Sequence, residues 1–125
     1  MPPTVREELA HEVIHAEDFA KKEIARQAFR LARSWNITPF DLLAEQHSNA
    51  RSISRRLRVI GLLPEAEVND GLILVETALM GCSILLTSDE HLRGMEFDRL
   101  AFELQAHGAT IPLIAKPREI IRKFF

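Results

Sequence analysis

One stretch, Asn69 to His91 (NDGLILVETALMGCSILLTSDEH), restricts what this chain can fold into more than any other. Leu72, Ile73, Val75, Leu79 and Met80 are too densely apolar for a surface helix. The spacing therefore predicts a largely buried helix, opened by Asn69 and Asp70 and broken at Gly81. The apolar run that follows, Ser83 to Leu86, is too short for another helix and reads as a buried strand ending in Thr87-Ser88-Asp89. A buried helix feeding a buried strand points to an α/β fold. It leaves one carboxylate at a helix start and another just past the carboxyl end of a strand, the edge at which open α/β sheets bind ligands. Each carboxylate also suits a purely structural role: Asp70 and Asp89 are both placed to cap a helix N-terminus. Linked by a buried helix and strand, the pair is read as a site.

The chain of 125 residues is long enough for one domain with a real core. Its net charge of -2 excludes the global basic character that advertises nucleic-acid binding. The charge is unevenly spread, however. Residues 64–107 hold nine acidic groups against Arg93 and Arg99, and basic segments flank them: Arg51, Arg55, Arg56 and Arg58 before, Lys116, Arg118, Arg122 and Lys123 after. An acidic zone between basic flanks suits a metal site bordered by phosphate contacts, and equally suits solvated helix faces. Cys82 is the only cysteine, so no intrachain disulfide forms, and it reads as a buried thiol. No run of about 18 apolar residues and no signal-peptide pattern is present, so a cytoplasmic location without membrane contact is expected.

Elsewhere the sequence predicts a helix from Val5 to His15 capped by Thr4 with Glu7, and a second from Glu17 to Trp35. Asn36 to Pro39 breaks the pattern, and Thr38-Pro39 predicts a new helix start. A helix over Asn49–Ile60 stops at Gly61. After Asp89 come a short turn or helix to Gly94, a helix over Phe97–His107, a strand over Thr110–Ala115 placed at an edge by Pro112, and a last helix from Arg118.

The pattern Asp70, Ile73, Thr77-Ala78 and Gly81 or Cys82, then Leu85-Leu86-Thr87-Ser88-Asp89, resembles the second half of a PIN domain, a family of metal-dependent nucleases. The likeness is carried by residues 60–115. It implies a three-layer α/β/α fold around a small parallel sheet. It also implies a site of Asp89, Asp70 and Glu8, the last in Thr4-Val5-Arg6-Glu7-Glu8-Leu9, binding Mg2+ or Mn2+ and cutting RNA by metal-activated water. Thr87 and Ser88 would orient water or a carboxylate, and Arg51, Arg55 and Arg56 would hold the RNA backbone. The family's first strand, with its aspartate, has no counterpart here. The expectation is a single domain over 1–125 that is incomplete at its N-terminus, completed by a homodimer or strand exchange. Family members include toxins of toxin–antitoxin pairs, so an antitoxin protein is a further expected partner. His91, two residues after Asp89, is a candidate acid or ligand as well as an ordinary exposed histidine.

Two other readings stand beside this one. A PIN-like fold with a lost site would be a non-catalytic binding module. Residues 41–63 would form a helix-turn-helix, with two short helices flanking His47-Ser48-Asn49 and Arg51, Ser52, Ser54, Arg55 and Arg56 toward a nucleic-acid groove.

Overall fold

Where the helices end is set by a few residues with left-handed backbone. The computed structural model describes all 125 residues, Met1–Phe125. Its helices are α1 (Pro3–His15), α2 (Phe19–Ser34), α3 (Ala44–Val59), α4 (Val68–Leu79), α5 (Glu90–Arg93), α6 (Phe97–Ala106) and α7 (Pro117–Phe124). Two strands, β1 (Ile84–Leu86) and β2 (Leu113–Ala115), make a parallel pair. The fold is thus mixed α/β and mostly helical, with a small parallel sheet. At Gly81, φ is +70°, the Cys82 N–H donates to Thr77 C=O and the Gly81 N–H to Ala78 C=O. These paired bonds are a Schellman stop, which occupies carbonyls that the helix end would otherwise leave open. Asn36 (φ 56°) ends α2 with the same bond pattern, through Ile37 N–H to Ala32 C=O.

The chain divides into two compact units, Met1–Asp41 and Leu42–Phe125. In the first, α1 and α2 pack together as a hairpin, with Asp18 capping α2 through the Ala20 N–H at 2.9 Å. Two expectations fail here. Thr4 is not a cap: α1 begins one residue earlier, at Pro3, and Thr4 is buried within its first turn. Proline at the first helical position has its fixed φ ready and lacks the N–H that needs capping. Thr38-Pro39 starts no helix either. Thr38 C=O accepts from the Met1 amino group at 2.9 Å, and the Phe40 N–H donates to Met1 C=O at 3.1 Å. Those bonds hold the segment outside helical geometry.

The second unit carries the main core. Ile53, Leu57, Leu63, Leu74, Val75, Leu100 and Leu104 are fully buried, with α3 packed against both α4 and α6. The Leu43 N–H donates to Gln46 Oε1 at 2.9 Å, so α3 starts at Ala44 and runs unbroken through His47-Ser48-Asn49. The helix-turn-helix expectation over 41–63 therefore loses its turn. Ala44 to Val59 is one helix whose inner face, Ala50, Ile53, Ser54 and Leu57, is committed to the core. Ser54 is thus turned away from any groove.

The α3–α4 approach depends on small residues. A Cβ built on Gly71 would collide with Ser54 Oγ and stand 3.4 Å from Leu63 Cδ1. Ser54 Oγ itself is buried without a hydrogen-bond partner. Gly71→Ala is expected to destabilise the fold by about 1–3 kcal/mol through overpacking. In a Ser54→Ala background most of that cost should vanish, since the colliding atom is gone and alanine favours a helix interior by about 1 kcal/mol over glycine. Urea unfolding of the four-member mutant cycle measures the coupling; additive effects would contradict the contact.

In the sheet, Ile84 pairs with Leu113, Leu85 with Ile114 and Leu86 with Ala115. Leu85 and Ile114 share the face turned to the core, and Leu85 is buried. Ile84, Leu86, Leu113 and Ala115 share the other face; the first three are 44%, 52% and 52% exposed, and Ala115 is buried. No helix is long and apolar enough to cross a membrane.

Candidate metal centre

Two short pieces of chain meet at the carboxyl end of β1. The first is the start of α4, where Glu67 occupies the N-cap position and Asp70 the first turn. Three residues apart at a helix start, their side chains lie one above the other on one face. The second is the turn after β1. There Thr87 Oγ1 accepts the Asp89 N–H at 3.1 Å, and Asp89 Oδ1 accepts the Leu92 N–H at 3.0 Å. The cap starts α5 and fixes His91 in its first turn.

Glu67, Asp70 and His91 converge. One ligand atom from each lies within 4.8 Å of the other two. His91 Nδ1 is 3.4 Å from Glu67 Oε1 and 3.9 Å from Asp89 Oδ1. Donors bound to one ion at about 2.1 Å are separated by no more than about 4.2 Å. The group is slightly wider than that limit, and its two carboxylates and imidazole are donors of the kind a divalent cation takes. Glu67 and Asp89 are about one-third exposed and His91 about half, which leaves room for water ligands. Two carboxylates and an imidazole suit Mn2+ better than Mg2+, because imidazole is a softer donor than Mg2+ selects.

The residues predicted from sequence fall in different places. Asp70 is in the cluster. Asp89 borders it through His91, with its carboxylate already capping α5. Thr87 fixes the Asp89 backbone, and Ser88 is exposed between them. Cys82 is half-buried. Glu8 is exposed on α1, in the first unit. Arg51 and Arg55, one turn apart on α3, are exposed, whereas Arg56 reaches Glu103 at 3.4 Å. Glu67 was not anticipated, because the sequence reading began the helix at Asn69–Asp70 rather than two residues earlier. The Glu67-x-x-Asp70 spacing was its available signal.

An ion-pair network closes the far side of α5. Arg93 contacts Glu90 at 3.2 Å and Glu119 at 2.7 Å, and Lys116 Nζ contacts Glu90 at 3.1 Å. The Lys116 N–H donates to Glu119 Oε2 at 2.7 Å, capping α7. Lys116, by hydrogen bond and charge, and then Arg93 hold the Glu90 carboxyl below its usual range. The Lys116 N–H and then Arg93 do the same for Glu119. A lowered folded pKa stabilises above the unfolded value and is lost as pH falls through the folded one. The start of α7 is therefore expected to stay anchored at neutral pH and to loosen only in acid, below about pH 4.3. Amide exchange at Lys116 and Glu119 between pH 6 and 3 would follow it. Glu119→Gln, which keeps a carbonyl acceptor, should remove the Glu119 share of that acid step.

Comparisons with protein-family models, with curated proteins and with solved structures find no match to this chain.

Proposed function

We propose that the chain is a divalent-metal-dependent ribonuclease of PIN-like α/β/α type, with Glu67, Asp70 and His91 as the metal-holding group. The observation that carries this reading is the convergence of two carboxylates and an imidazole at the carboxyl end of a parallel strand. When bound there, a divalent ion supplies positive charge to a scissile phosphate and acidifies water. The protein's own part is to place the donors. Glu67 at the N-cap and Asp70 in the first turn are carried by α4, which the core holds fixed. The Asp89 cap orients α5 and with it His91. Arg51 and Arg55 offer unpaired guanidinium groups for the RNA backbone, while Arg56 is already engaged by Glu103.

The test is cleavage of labelled single-stranded RNA in Mn2+, Mg2+ and EDTA by the parent chain and by Asp70→Asn and Asp89→Asn. Cutting in Mn2+, abolished by EDTA and by Asp70→Asn, is the expected result. Undiminished cutting by Asp70→Asn would point to a contaminant. RNA retention without cutting in any metal would replace the nuclease by a non-catalytic binding module.

A further inference from the structure

The two edges of the sheet are built differently. In a parallel ladder the N–H and C=O of one residue point to the same side, and the side alternates along the strand. The Leu113 N–H donates to Ser83 C=O at 2.9 Å and the Thr87 N–H to Ala115 C=O at 3.0 Å. Ser83, Leu85 and Thr87 thus face β2, and Ile84 and Leu86 direct their N–H and C=O groups outward. On β2 the outward residues are Pro112 and Ile114. Pro112 has no N–H to offer, and Lys116 follows the strand. Proline and lysine are the usual means of keeping an edge from pairing. The β1 edge has neither: from Met80 to Ser88 there is no charge and no proline. Beside it, Ile84, Leu86 and Leu113 are exposed on the face they share with the buried Ala115.

We infer that β1 pairs antiparallel with β1 of a second copy of this chain, about a two-fold axis at Leu85. The sheet then becomes four-stranded, in the order β2–β1–β1–β2. Ile84 of each copy stands opposite Leu86 of the other. Facing residues of this kind exchange both N–H···O=C bonds, so every outward group of the two strands is satisfied. A second copy is the occupant because the edge is its own complement, as a two-fold interface requires. The same register sets Ser83 against Thr87 and Cys82 against Ser88, so no like charges meet. Ile84 and Leu86 of both copies merge into one apolar strip.

Sedimentation of the intact chain at about 100 μM, where a micromolar dimer is largely associated, tests this independently of the metal centre. The expected mass is twice the 14.2 kDa of one chain. Ile84→Lys/Leu86→Lys sets lysines opposite lysines, and Ile84→Glu/Leu86→Glu sets glutamates opposite glutamates. Each double variant alone should run as a monomer with the parent's circular dichroism. Mixed together they should form a heterodimer, which a merely unfolded variant could not do. A monomeric parent would overturn the inference. So would a dimer that survives both double variants, or a mixture that stays monomeric.

Discussion

Asp70→Asn is expected to weaken Mn2+ binding by at least about 100-fold. Even residues that only orient a metal ligand cost 10–100-fold when changed, and Asp70 is placed as a ligand itself. The substitution keeps the shape and an amide oxygen but removes the charge that a hard cation seeks. Asp98, an exposed carboxylate in the first turn of α6, is the control: Asp98→Asn should leave binding unchanged. Calorimetric titration reads affinity directly. Thermal unfolding gives a second reading, because an ion at 100 times its dissociation constant stabilises the folded state by about 2.7 kcal/mol. That increment should be present in the parent and in Asp98→Asn and missing in Asp70→Asn. Binding should also fall in acid, since carboxylates and imidazole ligate only when deprotonated. Equal Mn2+ affinity in the parent and Asp70→Asn would remove Asp70 from the centre.

Leu74→Ala should cost the fold about 2–5 kcal/mol, the range for emptying a fully buried leucine site. Leu74 is 0% exposed in the middle of α4 and lies in the cluster formed by Ile53, Leu57, Val75 and Leu104. The neighbours belong to helices that already pack closely, so little collapse into the void is available. Against a typical total of about 5–15 kcal/mol, the loss is a large fraction of the stability. Leu43, 74% exposed just before α3, supplies the contrast, and Leu43→Ala should change stability by less than about 0.5 kcal/mol. Urea midpoints with unchanged slopes would establish both values. Because α4 also carries Asp70, Leu74→Ala should weaken Mn2+ binding as well, through the helix rather than through any ligand.

Much of this organisation was legible because it is local. Gly61, Gly81 and Gly108 mark helix ends that only a left-handed residue closes easily, and the chain obeys them. The strand after Gly81 was readable because three apolar residues between a glycine and a polar turn have few other uses, but its expected burial was not: in a two-stranded sheet only Leu85 of the three is enclosed, and Ile84 and Leu86 are exposed. Asp89 was readable both as a cap and as a site residue, and the cap is what its carboxylate makes. The failures arose where distant chain overrode a local rule. Thr38-Pro39 is a good helix start in isolation, but bonds to Met1, 37 residues away, hold it outside a helix. His47-Ser48-Asn49 looked like a turn by composition, yet the core-facing spacing of Ala50, Ile53 and Leu57 carried the helix through it. Glu67 stayed hidden because its role depends on the true start of α4 and on His91, 24 residues later, folding back beside it.

The first unit buries little: Pro3, Thr4, Ala25 and Ala32 are its buried residues, while Phe19, Ile24 and Trp35 remain 73%, 66% and 68% exposed. Protection of an amide from deuterium tracks the free energy needed to open its surroundings, and that energy comes largely from enclosed apolar contacts. Isotope labelling should therefore sweep through α1 and α2 long before it reaches the centre of α3 and α4. The chain would then respond to solvent on two clocks, with the hairpin opening and closing many times during one opening of the layer that carries Asp70.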